Sequence, residues 1–158
     1  MKKFAHLFTQ LDQTTKTNLK VAALQHYFAQ AEEKDKLWTI ALLSHRRPKR
    51  TVNTTLLLTW AAKKSNVPLW LFEESYGVTG DLAETIALIL PAATSESDNS
   101  LTYWIEYIRD LEGKDDSEKQ AAIYAAWEQL DQTERFVFNK IITGNFRVGV
   151  SQKLMTRA

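Results

Sequence analysis

Apolar residues recur along this chain at intervals of three and four positions, the spacing that places them on one face of an α-helix. Phe4, Leu7, Phe8 and Leu11 form the first such stripe. A period of two appears only in the short segment FRVGV, so strands are expected to contribute little. The pattern predicts an all-α fold, a compact multi-helix domain of about eight or nine helices, most with roughly 10 to 15 residues.

Proline, glycine and capping residues predict where several helices begin and end. Pro48 cannot lie inside the third helix, because proline disfavours helical geometry in the residue before it. Asn53 or Thr54 can cap the next helix, since a side-chain oxygen there accepts a free backbone N–H. Gly77 is expected to end the helix after that. The tryptophans, Trp70 among them, occur at helical spacing and are expected to pack in the core.

The composition fits one soluble domain. The chain has 158 residues, of which 44% are hydrophobic and 25% charged, enough to bury a core without disulfides. Cysteine is absent, which excludes disulfides and thiolate metal sites, and the three histidines do not have the spacing of metal ligands. The basic N-terminus is not followed by a long apolar run, so neither a signal peptide nor a membrane span is expected. A cytoplasmic location is the resulting prediction.

The charge is unevenly distributed although the formal net charge is only +1. Residues 1–50 contain ten Lys/Arg and four Asp/Glu, whereas residues 51–100 contain two and six. Two of the acid-free stretches are basic and lie far apart: residues 45–72, which open with HRRPKR, and everything after Glu134. Two basic stretches far apart in sequence suggest one positive face for a polyanion, although solvated surface is the alternative interpretation.

The closing stretch TGNFRVGVSQKLMTRA has the features of a phosphate-binding loop. Gly144 suits the position after a helix end, and an extended bridge containing Arg147 follows it. Ser151 can cap a further helix, whose first N–H groups would point towards a bound phosphate. Gly149 lacks a side chain and would let the phosphate approach the backbone. The stretch is therefore predicted to bind a nucleic-acid backbone and not to catalyse.

The segments RTVNTTLLLTWA, residues 50–61, and RVGVSQKLMTRA, residues 147–158, can be aligned without gaps. Arg, Leu, Thr and Ala coincide at four of the twelve positions. Each segment has an arginine, a short bridge, a capping residue and then a helix. Together with the charge distribution, this similarity suggests two loops that are related by a pseudo-two-fold axis and grip the two strands of a duplex.

At these residues the chain resembles the N-terminal DNA-binding domain of ATP-dependent DNA ligases, most of all the bacterial type with a compact form of this domain. The similar segments are FAHLFTQLDQTTKTNLKVAAL, RRPKR, GDLAETIALIL and, most specifically, TGNFRVGVSQKLMTRA. The resemblance covers residues 1–158 and implies one helical domain that packs against the minor groove of nicked double-stranded DNA. It also implies roles in DNA repair, replication and recombination, and association with the nucleoid.

The resemblance implies a set of DNA-binding residues in two loops. In the first loop, phosphate contacts are expected from Arg50, Thr51, Asn53 and Thr54, and the adjacent basic candidates are Arg46, Arg47 and Lys49. In the second loop, phosphate contacts are expected from Arg147, Gly149, Ser151, Gln152 and Lys153, and the loop is shaped by Gly144 and Asn145. Val52 stands where the family has a glycine, so the backbone of the first loop is not expected to approach a phosphate as closely.

The sequence lacks the residues that would carry out ligation. The family attaches AMP to the lysine of a Lys-x-Asp-Gly motif, and the nearest match here, KDDS at residues 114–117, has serine in place of the glycine. No catalytic residue, metal site or cofactor is therefore predicted for this chain. The resemblance implies that ATP and Mg²⁺ serve the full-length ligase, whose nucleotidyltransferase and OB-fold domains would follow Ala158, the former as a partner of this domain.

Two other functions are compatible with the sequence. A stand-alone helical nucleic-acid-binding module would have the same basic face without a catalytic partner. A helical protein-interaction scaffold would bind its partner equally well at high salt, because its binding would not depend on the release of counterions.

Overall fold

The structure is a computed structural model that describes residues 1–46, 48–144, 146 and 150–157. These residues form ten α-helices and no strand, which confirms the all-α prediction and exceeds the expected helix count. The helices are α1 Lys2–Asp12, α2 Thr17–Gln30, α3 Glu33–Leu43, α4 Thr54–Lys64, α5 Leu69–Thr79, α6 Leu82–Ile89, α7 Leu101–Arg109, α8 Asp116–Gln129, α9 Gln132–Thr143 and α10 Gln152–Arg157. No described helix is long and apolar enough to cross a membrane.

Side-chain caps begin six of the described helices. In each case a side-chain oxygen accepts a backbone N–H of the first turn, and the capping residues are Asn53, Asp81, Ser100, Asp115, Asp131 and Ser151. Asn53 is therefore the cap of α4, which confirms one of the two predicted alternatives. At α9 the cap is reciprocal, because the Glu134 carboxylate also accepts the N–H of Asp131 at 3.2 Å.

The predicted end of α5 is wrong. The helix continues past Gly77 to Thr79 and ends at Gly80, whose φ of 71° is left-handed. Gly77 lies inside the helix, where glycine is unfavourable but tolerated. The end of α3 agrees with the prediction, since this helix stops at Leu43, well before Pro48.

Helix α9 is the central element of the fold. Its residues from Glu134 to Ile142 are buried with one exception, and it packs against α1, α6 and α7, most extensively against α6. The aromatic core beside it includes Trp104 and Phe138, whose rings meet edge to face at 5.8 Å. The loop that follows α9 is consequently anchored to the best-packed helix of the domain.

Trp70 does not lie in the core, contrary to the prediction. Its side chain is 63% exposed, and Phe72 is the one buried residue of α5. Helical spacing alone could not reveal this, because α5 is apolar on several sides and the spacing does not show which side meets the core.

Candidate nucleic-acid interface

The first candidate loop, residues 44–53, begins with a well-defined turn at the end of α3. His45 has a left-handed φ of 65°, and its N–H donates to the carbonyl of Leu42 at 3.1 Å. The N–H of Arg46 donates to the carbonyl of Ala41 at 2.8 Å, which completes a Schellman motif. This turn fixes the direction in which the basic residues leave the helix.

Three cations of the first loop are exposed to solvent. Arg46 and Arg50 both lie on the surface, and the Lys49 side chain is 80% exposed. The Lys49 ammonium donates to the Glu112 carboxylate at 2.8 Å, which raises the pKa of the Lys49 amine and lowers that of the Glu112 carboxyl. All three cations can reach an external anion, but Lys49 already has an internal partner.

The end of the first loop is anchored in the protein. Thr51 is buried, and its hydroxyl donates to the carbonyl of Ile108 at 2.8 Å. Its own carbonyl accepts from the ammonium of Lys119 at 2.6 Å, and Val52 beside it is also buried. The Thr51 side chain thus binds the loop to α7, and the expected contact of Thr51 with a phosphate stays a prediction.

Asn53 and Thr54 lie at the start of α4. The Asn53 side chain is exposed, and its oxygen accepts the N–H of Thr55 at 2.7 Å. Its amide NH₂ still has donors for an external acceptor. Thr54 is half-buried and lines a groove of about 420 Å³ together with Thr143 and Gly144. The start of α4 therefore borders the second candidate loop.

The second candidate loop, residues 144–151, begins at Gly144. Its φ of 89° and ψ of −175° belong to a region that is almost restricted to glycine, and its N–H donates to the Lys140 carbonyl at 2.7 Å. Phe146 is buried between Phe4 and Phe8, with ring centroids 6.0 and 5.6 Å away in edge-to-face geometry. Gly144 and Phe146 consequently fix the start of this loop to α9 and α1.

Ser151 caps α10, as predicted. Its hydroxyl accepts the N–H of Leu154 at 3.1 Å, and its carbonyl accepts that of Met155 at 3.0 Å. Leu154 and Met155 are buried and α10 packs against α2, whereas Lys153 is exposed. The short helix α10 is thus attached to the domain by its apolar side and presents Lys153 to solvent.

The two candidate loops lie on one surface although about 100 positions separate them. A groove of about 700 Å³ is lined by His45 and Arg46 from the first loop and by Val150 and Ser151 from the second. The guanidinium of Arg50 also donates to the carbonyl of Thr143, at 3.4 Å, just before Gly144. Folding thus unites the basic segments that the charge distribution singled out.

Two residues beside the first loop were not predicted as part of this surface. Arg109 lines a groove of about 810 Å³ with Arg46 and Lys49, and its guanidinium lies 5.8 Å from the centre of the Trp38 ring. Glu112 lines the same groove. The sequence offered little indication that these residues belong to the surface. Arg109 has acids on both sides, and the two residues are 59 to 66 positions away from the loop cations.

Two basic residues of the acid-free C-terminal stretch do not belong to the positive surface. Arg135 is buried, and its guanidinium donates to the carbonyls of Trp127 at 2.8 Å and Pro91 at 2.5 Å. Lys140 is also buried and forms an ion pair with Asp81. These cations hold helices together, so the basic character of this stretch overstates the charge available to a ligand.

Several predicted site residues lie outside the described part of the chain. They are Arg47, Asn145, Arg147 and Gly149, and the side chain of Gln152 is likewise not described. The pseudo-two-fold relation of the loops stays a prediction for the same reason. The described caps do not follow the gapless alignment, which pairs Ser151 with Thr54 although Asn53 is the cap of α4.

The described residues do not contain a cluster of three or more His, Asp or Glu side chains that could hold a metal ion. The exposed Lys and Arg side chains on the anchored loops give this surface the chemistry of an anion-binding face. A family model described as DNA ligase N terminus matches residues 1–158. A search of curated proteins finds no match to the chain.

Proposed function

Because the chain belongs to the DNA ligase N-terminus family, we propose that it binds nicked duplex DNA without sequence preference, as the DNA-binding domain of an ATP-dependent DNA ligase. Residues 1–158 act as one binding unit, which contacts the phosphate backbone and the minor groove beside the break. Contacts to the backbone carry little base information, and the minor groove offers a degenerate pattern of donors and acceptors. Such a domain would serve ligation in repair, replication and recombination, within the nucleoid of the cytoplasm.

The observation that supports this proposal is the convergence of the two loops. Arg46 and Ser151 line one groove, and Arg50 contacts the end of the helix that leads into the second loop. A duplex has a phosphate backbone on each side of its minor groove, so two adjacent cationic loops provide two points of attachment. Each loop is anchored by buried residues, Thr51 in the first and Phe146 in the second.

The proposed roles differ among the residues. Exposed cations bind phosphate oxygens through charge-assisted hydrogen bonds, and these are Arg46, Lys49, Arg50 and Lys153. Thr51, Asn53 and Thr54 position the first loop, and Gly144 and Ser151 position the second. Arg47, Asn145, Arg147, Gly149 and Gln152 are proposed as further contacts on the basis of the sequence.

A salt titration tests this function. The binding of labelled nicked and intact duplexes should weaken steeply as the salt concentration rises, because each neutralised phosphate releases a counterion. Two duplexes of unrelated sequence should bind within about twofold of each other, since base edges are not read. An affinity that stays constant with salt would contradict the proposal and favour the protein-interaction scaffold.

We place the chemistry of ligation outside these residues. Neither a Lys-x-Asp-Gly motif nor a set of described carboxylates that fits Mg²⁺ is present. ATP and Mg²⁺ would be used by a nucleotidyltransferase domain, with which this domain would cooperate. Incubation of the purified chain with labelled ATP, Mg²⁺ and nicked DNA should yield neither a protein–AMP adduct nor a sealed product. A stable adduct would contradict this assignment.

A further inference from the structure

Helix α5 presents an apolar outer face to solvent. Trp70 is 63% exposed and Val78 is 89% exposed, and Leu71 between them is also exposed. Trp70, Glu74 and Val78 follow each other at intervals of four, which aligns them along one side of the helix. We call Trp70, Leu71, Glu74 and Val78, together with the adjacent Glu73, the α5 outer face.

The stretch of sequence that contains this face is acidic. Residues 65–108 contain seven acids and no Lys or Arg, and the acids are Glu73, Glu74, Asp81, Glu84, Glu96, Asp98 and Glu106. Glu73 and Glu74 are both exposed on α5 itself. The nearest cations in sequence are Lys63 and Lys64 at the end of α4, and Lys64 is already paired with Glu128.

The charge excludes the polyanions that would otherwise fit an exposed tryptophan. Aromatic rings on nucleic-acid-binding proteins commonly stack on bases, but they do so within basic grooves. An anionic membrane likewise binds apolar side chains that are surrounded by Lys and Arg. Glu73 and Glu74 beside Trp70 would repel either ligand, because a polyanion bound at Trp70 would bring like charges close together.

We propose that the α5 outer face is a docking surface for a protein partner that presents a basic amphipathic helix. Trp70 and Leu71 supply the apolar contact area, and tryptophan is among the residues that most often dominate binding energy in such interfaces. Glu73 and Glu74 pair with Lys or Arg at the edge of the partner helix, which sets its orientation. An amphipathic helix on an apolar face is a common mode of recognition.

Gly77 adds space for the partner on this side of α5. It lies one turn from Glu73 and Glu74, and a side chain built at its position would meet nothing within 4 Å. A side chain of the partner helix can therefore approach the α5 backbone at this point. Alanine at Gly77 would narrow that space without a clash inside the domain.

The docking surface is separate from the proposed DNA-binding loops at its Trp70 end. The first loop precedes the N-terminus of α4, whereas Trp70 follows its C-terminus. The 11 residues of α4 span about 16 Å at the usual rise of a helix. The Trp70 end of the docking surface is thus remote from the first loop, and this inference does not depend on the DNA-binding proposal.

Fluorine NMR of the protein labelled with 5-fluorotryptophan tests the proposal. The Trp70 resonance is assigned from the Trp70→Phe variant, and the probe is a synthetic amphipathic helix of leucine and lysine. We expect this peptide to shift the Trp70 resonance and leave that of the buried Trp104 in place. A peptide in which glutamate replaces lysine should cause no shift, because it would be repelled by Glu73 and Glu74.

Calorimetric titration of variants completes the test. The Trp70→Ser and Val78→Ser variants and the Glu73→Lys, Glu74→Lys double variant should each bind the lysine peptide at least about tenfold more weakly. Leu19→Ser is the matched control, since Leu19 is a similarly exposed apolar residue on α2, and its affinity should be unchanged. Circular dichroism verifies that each variant is folded.

Four outcomes would overturn the proposal. The first is the absence of a Trp70 shift, and the second is equal affinity of the variants and the wild type. The third is a Trp70 shift with duplex DNA or with anionic vesicles, which would assign the face to a polyanion. The fourth is self-association in sedimentation that Trp70→Ser abolishes, which would assign the face to a second copy of the chain.

Discussion

The guanidinium of Arg50 donates a hydrogen bond to the backbone carbonyl of Thr143, 93 positions later, at 3.4 Å. This contact joins the first loop to the end of the central helix α9, directly before Gly144. Through this hydrogen bond, two basic segments that are remote in sequence are connected on one surface. A substitution of Arg50 should therefore change the local stability of both loops.

Hydrogen exchange can detect this coupling. In the free protein, Arg50→Ala should accelerate amide exchange two- to fivefold, both in the first loop and at residues 144–146, since a net hydrogen bond contributes about 1 kcal/mol. Lys49→Ala is the control, because its partner Glu112 lies beyond the end of α7. It should leave residues 144–146 unchanged. Unaltered exchange there in Arg50→Ala would show that the contact does not couple the loops.

Under the proposed function, Glu112 and DNA compete for Lys49. Removal of its charge in Glu112→Gln should tighten duplex binding severalfold at low salt, because the Lys49 ammonium no longer has to leave an ionised partner. Glu96→Gln removes the same charge from the loop between α6 and α7 and should have a smaller effect. The comparison is made in one anisotropy titration at fixed salt. If both variants bind equally, only the net charge of the chain is relevant.

The carboxyl of Glu134 gives a prediction for stability against pH. Burial raises its pKa above 4.5, and its Oε2 atom is buried without a hydrogen-bond partner among the described residues. The folded state therefore binds this proton more tightly than the unfolded state. The stability that protonation of Glu134 contributes is lost as the pH rises through the raised pKa.

Glu134→Gln tests that pKa shift. The variant keeps the acceptor that caps α9 through Asp131 and binds Lys2. Its stability relative to the wild type should increase as the pH rises above 4.5, as measured by urea unfolding at several pH values. A difference between the two proteins that is constant across this range would contradict a raised pKa.

Two glycines of α5 should respond in opposite ways to alanine. Gly77 lies inside the helix with open space around it, so Gly77→Ala should stabilise the protein by about 1 kcal/mol. Gly80 has a left-handed φ of 71°, so Gly80→Ala should destabilise it by about 1 kcal/mol or more. Thermal unfolding of both variants provides the measurement. Destabilisation by Gly77→Ala would contradict the position of the helix end.

Helix caps, which depend on neighbouring residues, could be predicted from the sequence, whereas the burial of a particular cation, which depends on distant residues, could not. The caps Asn53 and Ser151 follow from local hydrogen bonding, and the role of Gly144 follows from its backbone conformation. The burial of Arg135 depends on a carbonyl 44 positions away, at Pro91. No local pattern distinguishes such a cation from an exposed one. The charge distribution along the sequence therefore suggested that Arg135 lies on the surface.

The same limit applies to the candidate site. Lys49 and Glu112 are 63 positions apart, and their pairing depends on the way the first loop lies against the end of α7. The family resemblance implies a DNA contact from Thr51, and the way the first loop lies against α7 directs its hydroxyl to Ile108. The sequence thus singled out segments that lie on one surface and could not divide their residues into exposed side chains and internal anchors.

The account depends most directly on the two loops acting together on DNA. The decisive measurement compares three variants that each lose one positive charge. Their affinities for nicked duplex are measured at one moderate salt concentration. The variants are Arg46→Ala in the first loop, Arg147→Ala in the second and Lys63→Ala at the exposed end of α4. Circular dichroism establishes that all three are folded.

We predict that Arg46→Ala and Arg147→Ala each weaken binding by about 1 kcal/mol or more, because each removes a charge-assisted hydrogen bond to a phosphate. Lys63→Ala should change the affinity by well under that amount, since its charge is screened and remote from both loops. Equal losses in all three variants, or a loss confined to one loop, would contradict the claim that the two loops form a single DNA-binding surface.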